Sequence, residues 1–101
     1  MHKYVYAFVR EDLSTSQQII QTSHAMEMVA KRCDPDSKVH HMVLLSCKDL
    51  AKLESIAIDF DFDGIAYEMF YEPDIGQHTS IVTMPVYGEG RSRFKHYKLR
   101  K

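Results

Sequence analysis

The chain has 101 residues, 45% of them apolar and 27% charged, with two cysteines and a net charge of −1. A chain of that length buries roughly two thirds of its unfolded surface, enough for one domain with one core. Its apolar runs, residues 4–9 and 42–45 among them, are far short of the ~20 residues a membrane-spanning helix needs. The opening Met1-His2-Lys3 starts no signal-peptide apolar stretch, so a cytoplasmic protein with no membrane partner is expected.

The small net charge hides an asymmetry. From position 91 onward, Arg91, Arg93, Lys95, Lys98, Arg100 and Lys101 bring six positive charges and no acid, whereas the preceding ninety residues hold seven basic and fourteen acidic side chains. Blocks of this kind are ordinarily solvated, mobile termini. Phe94 and Tyr97 interleave with the charges, which gives a phosphate-facing strip apolar groups to dock or stack. Cys33 and Cys47 lack CxxC spacing and read as reduced, buried small hydrophobes.

Residues 4–9 are rich in aromatic and β-branched side chains and predict a strand buried on both faces. Ser14 or Ser16 suits the N-cap of a helix running to about residue 32, with Gln17 or Gln18 placed for a reciprocal cap. On a helical wheel Ile19, Met26, Val29, Ala30 and Cys33 share one side. Gln17, Gln21, His24, Glu27 and Lys31 share the other, so Gln21 and His24 are expected outside the core. Pro35 ends the helix, since proline disfavours helix at the residue before it.

A second strand is expected over residues 39–46. Ser46-Cys47-Lys48-Asp49 has capping-box spacing with Asp for the usual Glu. It opens a second helix with Leu50, Leu53, Ala57 and Phe60 at helical intervals. Residues 59–64 read as a turn, 65–71 as a third strand, 72–76 as a loop and 79–86 as a fourth strand. Gly88 and Gly90 break the chain before a short helical or irregular piece, and 95–99 suits an extended segment. The order β-α-β-α-β-β predicts an α/β layer with a mixed sheet, because only a loop joins the last two strands.

Asp59, Asp61, Asp63 and Gly64 imitate the opening of a calcium-binding EF-hand loop. The twelfth position should be a bidentate Glu, and Phe70 stands there. An acidic turn, with Gly64 supplying left-handed backbone, is the simpler reading. His40 and His41 point to opposite faces of a strand, and no Cys-His spacing resembles a zinc site, so no metal is expected. There is no GxSxG elbow and no glycine-rich phosphate loop. Two places remain: Gln21 with His24, three apart on one helix face, and residues 72–79, which join two strands where functional groups concentrate.

These segments occur in a familiar order. Arg10-x-Asp12-Leu13 after a strand, Gln21-x-x-His24-Ala25 on the helix, a capped second helix, a strand and the Asp74-x-Gly76 loop resemble the type 2 peptidyl-tRNA hydrolase family and its smaller domain relatives. The ending Phe94-Lys95-His96-Tyr97-Lys98-Leu99 is similar to that group as well, so the resemblance spans nearly the whole chain. It implies one domain over residues 1–101 with a basic tail at 91–101. The implied architecture is a four-stranded mixed sheet flanked by helices, often dimeric and without a cofactor.

The implied activity is hydrolysis of the ester between a peptide and the 3′ end of a tRNA. Asp74 would orient or deprotonate the attacking water, which is a poor nucleophile until a base takes its proton. His24 with Gln21 would form the site wall or position substrate, and Thr79 matches a hydroxyl position after the loop. Arg91, Arg93, Lys95, Lys98, Arg100 and Lys101 would hold tRNA phosphates. The family places a lysine in a turn opening the first helix. Here Leu13-Ser14-Thr15-Ser16-Gln17 is shorter, and Gln17 stands in that place as a substrate-binding candidate. A neutral amide bonds about half as strongly as a charge-assisted donor. A catalytically silent copy of the fold, binding RNA or protein, is therefore the alternative.

Overall fold

A computed structural model describes residues 3–34, 41–86 and 88–100. The chain runs through β1 (Tyr4–Arg10), α1 (Thr15–Arg32), β2 (His41–Cys47), α2 (Leu50–Asp63), β3 (Tyr67–Glu72) and β4 (Gln77–Thr83). A 3₁₀ helix at Gly88–Phe94 and a two-residue strand, β5 (Lys98–Leu99), follow. The sheet order is β3-β4-β1-β2-β5. β1 and β2 are parallel, β4 is antiparallel to both β1 and β3, and β5 is antiparallel to β2. The expected mixed sheet is present with five strands rather than four, because the tail adds one at the β2 edge.

Both helices are crossovers between parallel strands: β1 to β2, then β2 back across the sheet to β3. The two connections run in opposite directions, so crossovers of one hand put their helices on opposite faces. The alternation of β1 serves both. Val5 and Ala7 pack with Ala25 and Val29 of α1, while Tyr6 and Phe8 pack with Leu53, Ile56, Ala57 and Phe60 of α2. β1 is accordingly buried on both sides, as its sequence predicts. Among the described residues no helix is long and apolar enough to cross a membrane.

Several local expectations are corrected. Asp49 itself is the N-cap of α2 and accepts from the Lys52 backbone N–H, so Ser46 is not a capping residue. α2 continues through the expected turn to Asp63, and Gly64 closes it with a φ of 72°. That left-handed cap is open to glycine at little cost. Asp61 accepts from the Tyr67 hydroxyl, and Asp63 pairs with Arg93. The second strand begins at His41 among the described residues, whereas residues 39 and 40 lie outside them.

The largest correction concerns α1. Its buried residues are Gln18, Gln21, Thr22, Ala25 and Val29, while Ile19 is 63% exposed. The helix is therefore rotated so that polar side chains enter the interior over its first two turns. This holds because their hydrogen bonds are made inside: Gln18 Nε2 donates to Leu13 O at 2.9 Å, and Thr22 Oγ1 to Gln18 O at 2.7 Å. Buried polar groups are tolerated when so partnered.

The tail is built into the fold. Phe94 is 3% exposed and stacks on Tyr6 with ring centroids 4.0 Å apart. β5 covers the β2 edge by pairing with Leu45 and Ser46, and the Arg100 N–H donates to Leu44 O at 2.9 Å.

Burial also separates the two cysteines. Cys47 is 5% exposed, and desolvation pushes its thiol up to about 12, whereas Cys33 is only half-buried. Iodoacetamide at mildly alkaline pH is expected to modify one thiol, Cys33, in the folded protein. Cys47 should become reactive only on unfolding, as mass spectrometry of the alkylated peptides would read.

Candidate functional site

The C-terminal end of β1, the first turns of α1 and the β3–β4 connection meet at one corner. Arg10 ends β1 and is 5% exposed. Its Nε and Nη2 donate to the two Asp12 carboxylate oxygens at 2.9 and 2.6 Å. Its Nη1 donates to Gln77 Oε1 at 2.8 Å and to His78 O at 3.0 Å. Arg10 thus clamps the end of β1 to the start of β4, and its charge is matched by Asp12.

The hydrogen bonds from Arg10 hold the Asp12 carboxyl below its ordinary value. A depressed carboxyl stabilises the fold above its unfolded value, ~3.9 for Asp, and loses that contribution as pH falls through the folded value. Asp12→Asn is expected to cost about 1 kcal/mol at neutral pH, because the carboxylate is partly exposed. It should also flatten the decline in stability below about pH 4; urea unfolding at both pH values checks this.

Ser14 caps α1 and accepts from the Gln17 backbone N–H at 3.2 Å. One turn later Gln21, 2% exposed, is the hub of the corner. Its Nε2 donates to Gln17 Oε1 at 2.9 Å and to Glu72 Oε2 at 3.1 Å, and its Oε1 accepts from the Thr79 hydroxyl at 3.0 Å. Its backbone carbonyl accepts from Ser80 Oγ at 2.6 Å.

Thr79 reaches Gln21 because β4 is irregular there. Phe70 pairs with Ser80 and Tyr71 with His78, which leaves Thr79 as an extra residue between the two pairs. Such a bulge breaks the in–out alternation and re-aims a side chain. Thr79 and Ser80, consecutive residues, both turn hydroxyls toward α1 as a result.

Glu72 was not singled out by its sequence context. Its carboxylate bridges the corner: Oε2 holds Gln21, and Oε1 accepts from the Asp74 backbone N–H at 3.2 Å. The turn is closed by Glu72 O, which accepts from the Ile75 and Gly76 N–H groups at 3.2 and 2.8 Å. Gly76 adopts a φ of 73°, a conformation that favours glycine. Asp74 therefore stands exposed on a fixed turn beside the Glu72–Gln21 link. His24, one helical turn beyond Gln21, is half-buried and stacks on Phe70, with ring centroids 4.6 Å apart and an interplanar angle of 22°.

Gln17, Gln21, His24, Asp74 and Thr79 thus belong to one corner, linked through Glu72 and Phe70. Gln21 and Thr79, expected as substrate contacts, are buried and bonded to each other. Gln17 differs. Its amide oxygen is held by Gln21, and its side chain is only half-buried.

A solved structure of a protein of unknown function from Agrobacterium tumefaciens strain C58 matches with a TM-score of 0.70 and 13% identity. The match covers 100% of this chain and 99% of that one. At that identity the likeness shows the fold alone. No protein-family model matches the chain. No curated protein sequence matches it.

The five basic residues of the tail that are described, Arg91, Arg93, Lys95, Lys98 and Arg100, do not form one strip. Arg91 Nε donates to the Tyr6 hydroxyl at 3.0 Å and its guanidinium lies 3.5 Å over the Tyr4 ring centroid. Arg93 pairs with Asp63, Lys98 Nζ lies 3.1 Å from Glu11 Oε1, and Arg100 Nε donates to Gln18 Oε1 at 2.8 Å. Arg91 and Arg93 lie by the α2 face and Arg100 by the α1 face, because the tail wraps the β2 edge between them. Lys95 is exposed, and Lys101 lies outside the described residues.

Proposed function

We propose that this corner hydrolyses the ester of a peptidyl-tRNA. The observation that supports the reading is the β4 bulge, which brings Thr79 onto Gln21 and so gathers residues from three distant motifs beside the Asp74 turn. In this reading Asp74 takes the proton of the attacking water, and Glu72 and Gln21 hold the turn against α1. The Gln17 amide donates to the developing oxyanion, where a positioned donor is worth most. His24, fixed on Phe70, forms the wall that meets the terminal nucleotide or the peptide. The exposed tail cations supply sequence-independent attraction for tRNA phosphates.

The test is release of tRNA from an N-blocked aminoacyl-tRNA by the purified protein. Multiple turnovers are expected. No release above buffer, with protein in excess over substrate, overturns the reading.

The second reading, a silent copy of the fold that binds RNA, is favoured by one observation: the helix-opening position carries neutral Gln17, whose oxygen is already held by Gln21. Gln17→Lys separates the two. If only the variant turns over substrate, the natural chain is the silent copy. Comparable rates in both support the hydrolase.

A further inference from the structure

β3 ends the sheet, with β4 on one side and, among the described residues, no strand on the other. Which of its backbone groups face outward follows from one bond. The Met84 N–H donates to Ala66 O at 3.0 Å, so Ala66 faces β4, and the alternation of an antiparallel ladder turns Glu68 and Phe70 the same way. Tyr67, Met69 and Tyr71 then turn their N–H and C=O groups away from the sheet. Two contacts agree: Thr79 Oγ1 of β4 donates to Phe70 O at 3.5 Å, and Arg32 Nη1 donates to Tyr67 O at 3.3 Å from outside. No described residue bonds the outward groups of Met69 and Tyr71.

An open row of this kind pairs readily with another strand. The sequence Tyr67-Glu68-Met69-Phe70-Tyr71-Glu72 decides which. Paired antiparallel with itself about a two-fold axis at Met69, it sets Tyr67 against the partner's Tyr71 and Glu68 against the partner's Phe70. Aromatic pairs across strands stabilise, and like charges directly opposite destabilise. An axis at Glu68 would oppose the two Glu68 side chains, and one at Phe70 would set Glu68 against the partner's Glu72. Of these three axes, the one at Met69 alone avoids both clashes.

The helix above agrees. His24 stacks on Phe70, and Arg32 pairs with Glu68 at 2.9 Å, so Met28, midway between them on α1, lies by the same axis. Met28 is half-buried and Tyr71 is 50% exposed. The ions beside them are already paired within the chain, Arg32 with Glu68 and Lys31 with Glu27. The flank thus offers open backbone and apolar surface with its local charges matched, which suits a copy of itself.

We propose that the chain forms a two-fold dimer in which β3 pairs with β3 of a second copy about Met69, so that two five-stranded sheets become one. Such an interface uses the same patch twice. Tyr67, Met69 and Tyr71 of each copy exchange backbone hydrogen bonds, and the two Met28 side chains meet over the axis. Tyr67 O accepts its new bond with a second lone pair. The dimer stands independently of the chemistry at the ester corner.

Sedimentation of the purified full-length chain over a concentration series tests it. Twice the chain mass is expected, with dissociation on dilution. Met69→Pro removes an outward N–H that β4 does not use, a change edge strands tolerate, and should weaken association about tenfold or more. Met28→Lys leaves the strand intact and sets like charges at the axis, so it should weaken association too. Register is read by oxidation in a Cys33→Ser background. Cα atoms at the axis are about 5.5 Å apart, within disulfide reach, so Met69→Cys should cross-link. Tyr71→Cys should not, because the two copies of that position lie ~13 Å apart along the strands. A monomer at every concentration up to about 1 mM overturns the proposal. So does a dimer that both Met69→Pro and Met28→Lys leave intact, or one cross-linked by Tyr71→Cys and not by Met69→Cys.

Discussion

Asp74→Asn is expected to slow release of tRNA from a peptidyl-tRNA by about 10²- to 10⁴-fold, the range for loss of a positioned general base. The unfolding midpoint should stay within about 0.5 kcal/mol of the wild type. Both expectations follow from how the turn is held. The Asp74 backbone N–H bonds Glu72, the Glu72 carbonyl holds Ile75 and Gly76, and the Asp74 side chain is exposed. Asn keeps the shape and removes the proton acceptor.

Glu72 is two residues away and has a carboxylate of its own, so the pair must be separated. Glu72→Gln replaces a charged bridge between Gln21 and the turn with a neutral one, and is expected to lower both rate and stability. Gel separation of acylated from deacylated tRNA, with thermal unfolding beside it, distinguishes the cases. Full activity in Asp74→Asn with loss in Glu72→Gln would move the base to Glu72. Full activity in both would leave the corner without a catalytic carboxylate.

Much of the fold was legible because the relevant signals are local. The unbroken apolar run of β1, the Ser14 cap and the glycine breaks at 64, 76 and 88 all report on their immediate neighbours. The corner was legible only in part, for a reason visible in α1. A wheel weighs side chains by polarity, and Gln21 was therefore placed outside the core. It is buried because partners more than fifty residues away, Glu72, Thr79 and Ser80, satisfy it. No periodicity along one helix contains that information. The bulge at Thr79 was hidden likewise, since it exists only as a mismatch between two strands. Residues 59–63 misled in the opposite way: acidic side chains that suit a loop continue α2, because Tyr67 and Arg93 take up two of them.

Phe94→Ala is expected to destabilise the protein by about 3–5 kcal/mol, the cost of removing a buried aromatic ring. The ring is 3% exposed, stacks on Tyr6, and meets Phe60 edge-on with centroids 5.9 Å apart. It fastens the tail to the α2 side of the sheet, from which β5 goes on to cover the β2 edge. Loosening it exposes unpaired backbone along that edge, a site for unwanted strand addition. Lys95→Ala, by contrast, changes an exposed side chain and should stay within about 0.5 kcal/mol. Denaturant midpoints at unchanged slope measure both. The difference decides how nucleic-acid binding must be tested. If Phe94 is a staple, removing the chain from Arg91 onward unfolds the protein, and any loss of RNA binding is uninformative. Charge reversal at Lys95 then becomes the proper probe, because it alters the field and spares the core. A cost below about 1 kcal/mol for Phe94→Ala would instead make the tail a dispensable appendage, and deletion would again be a fair test.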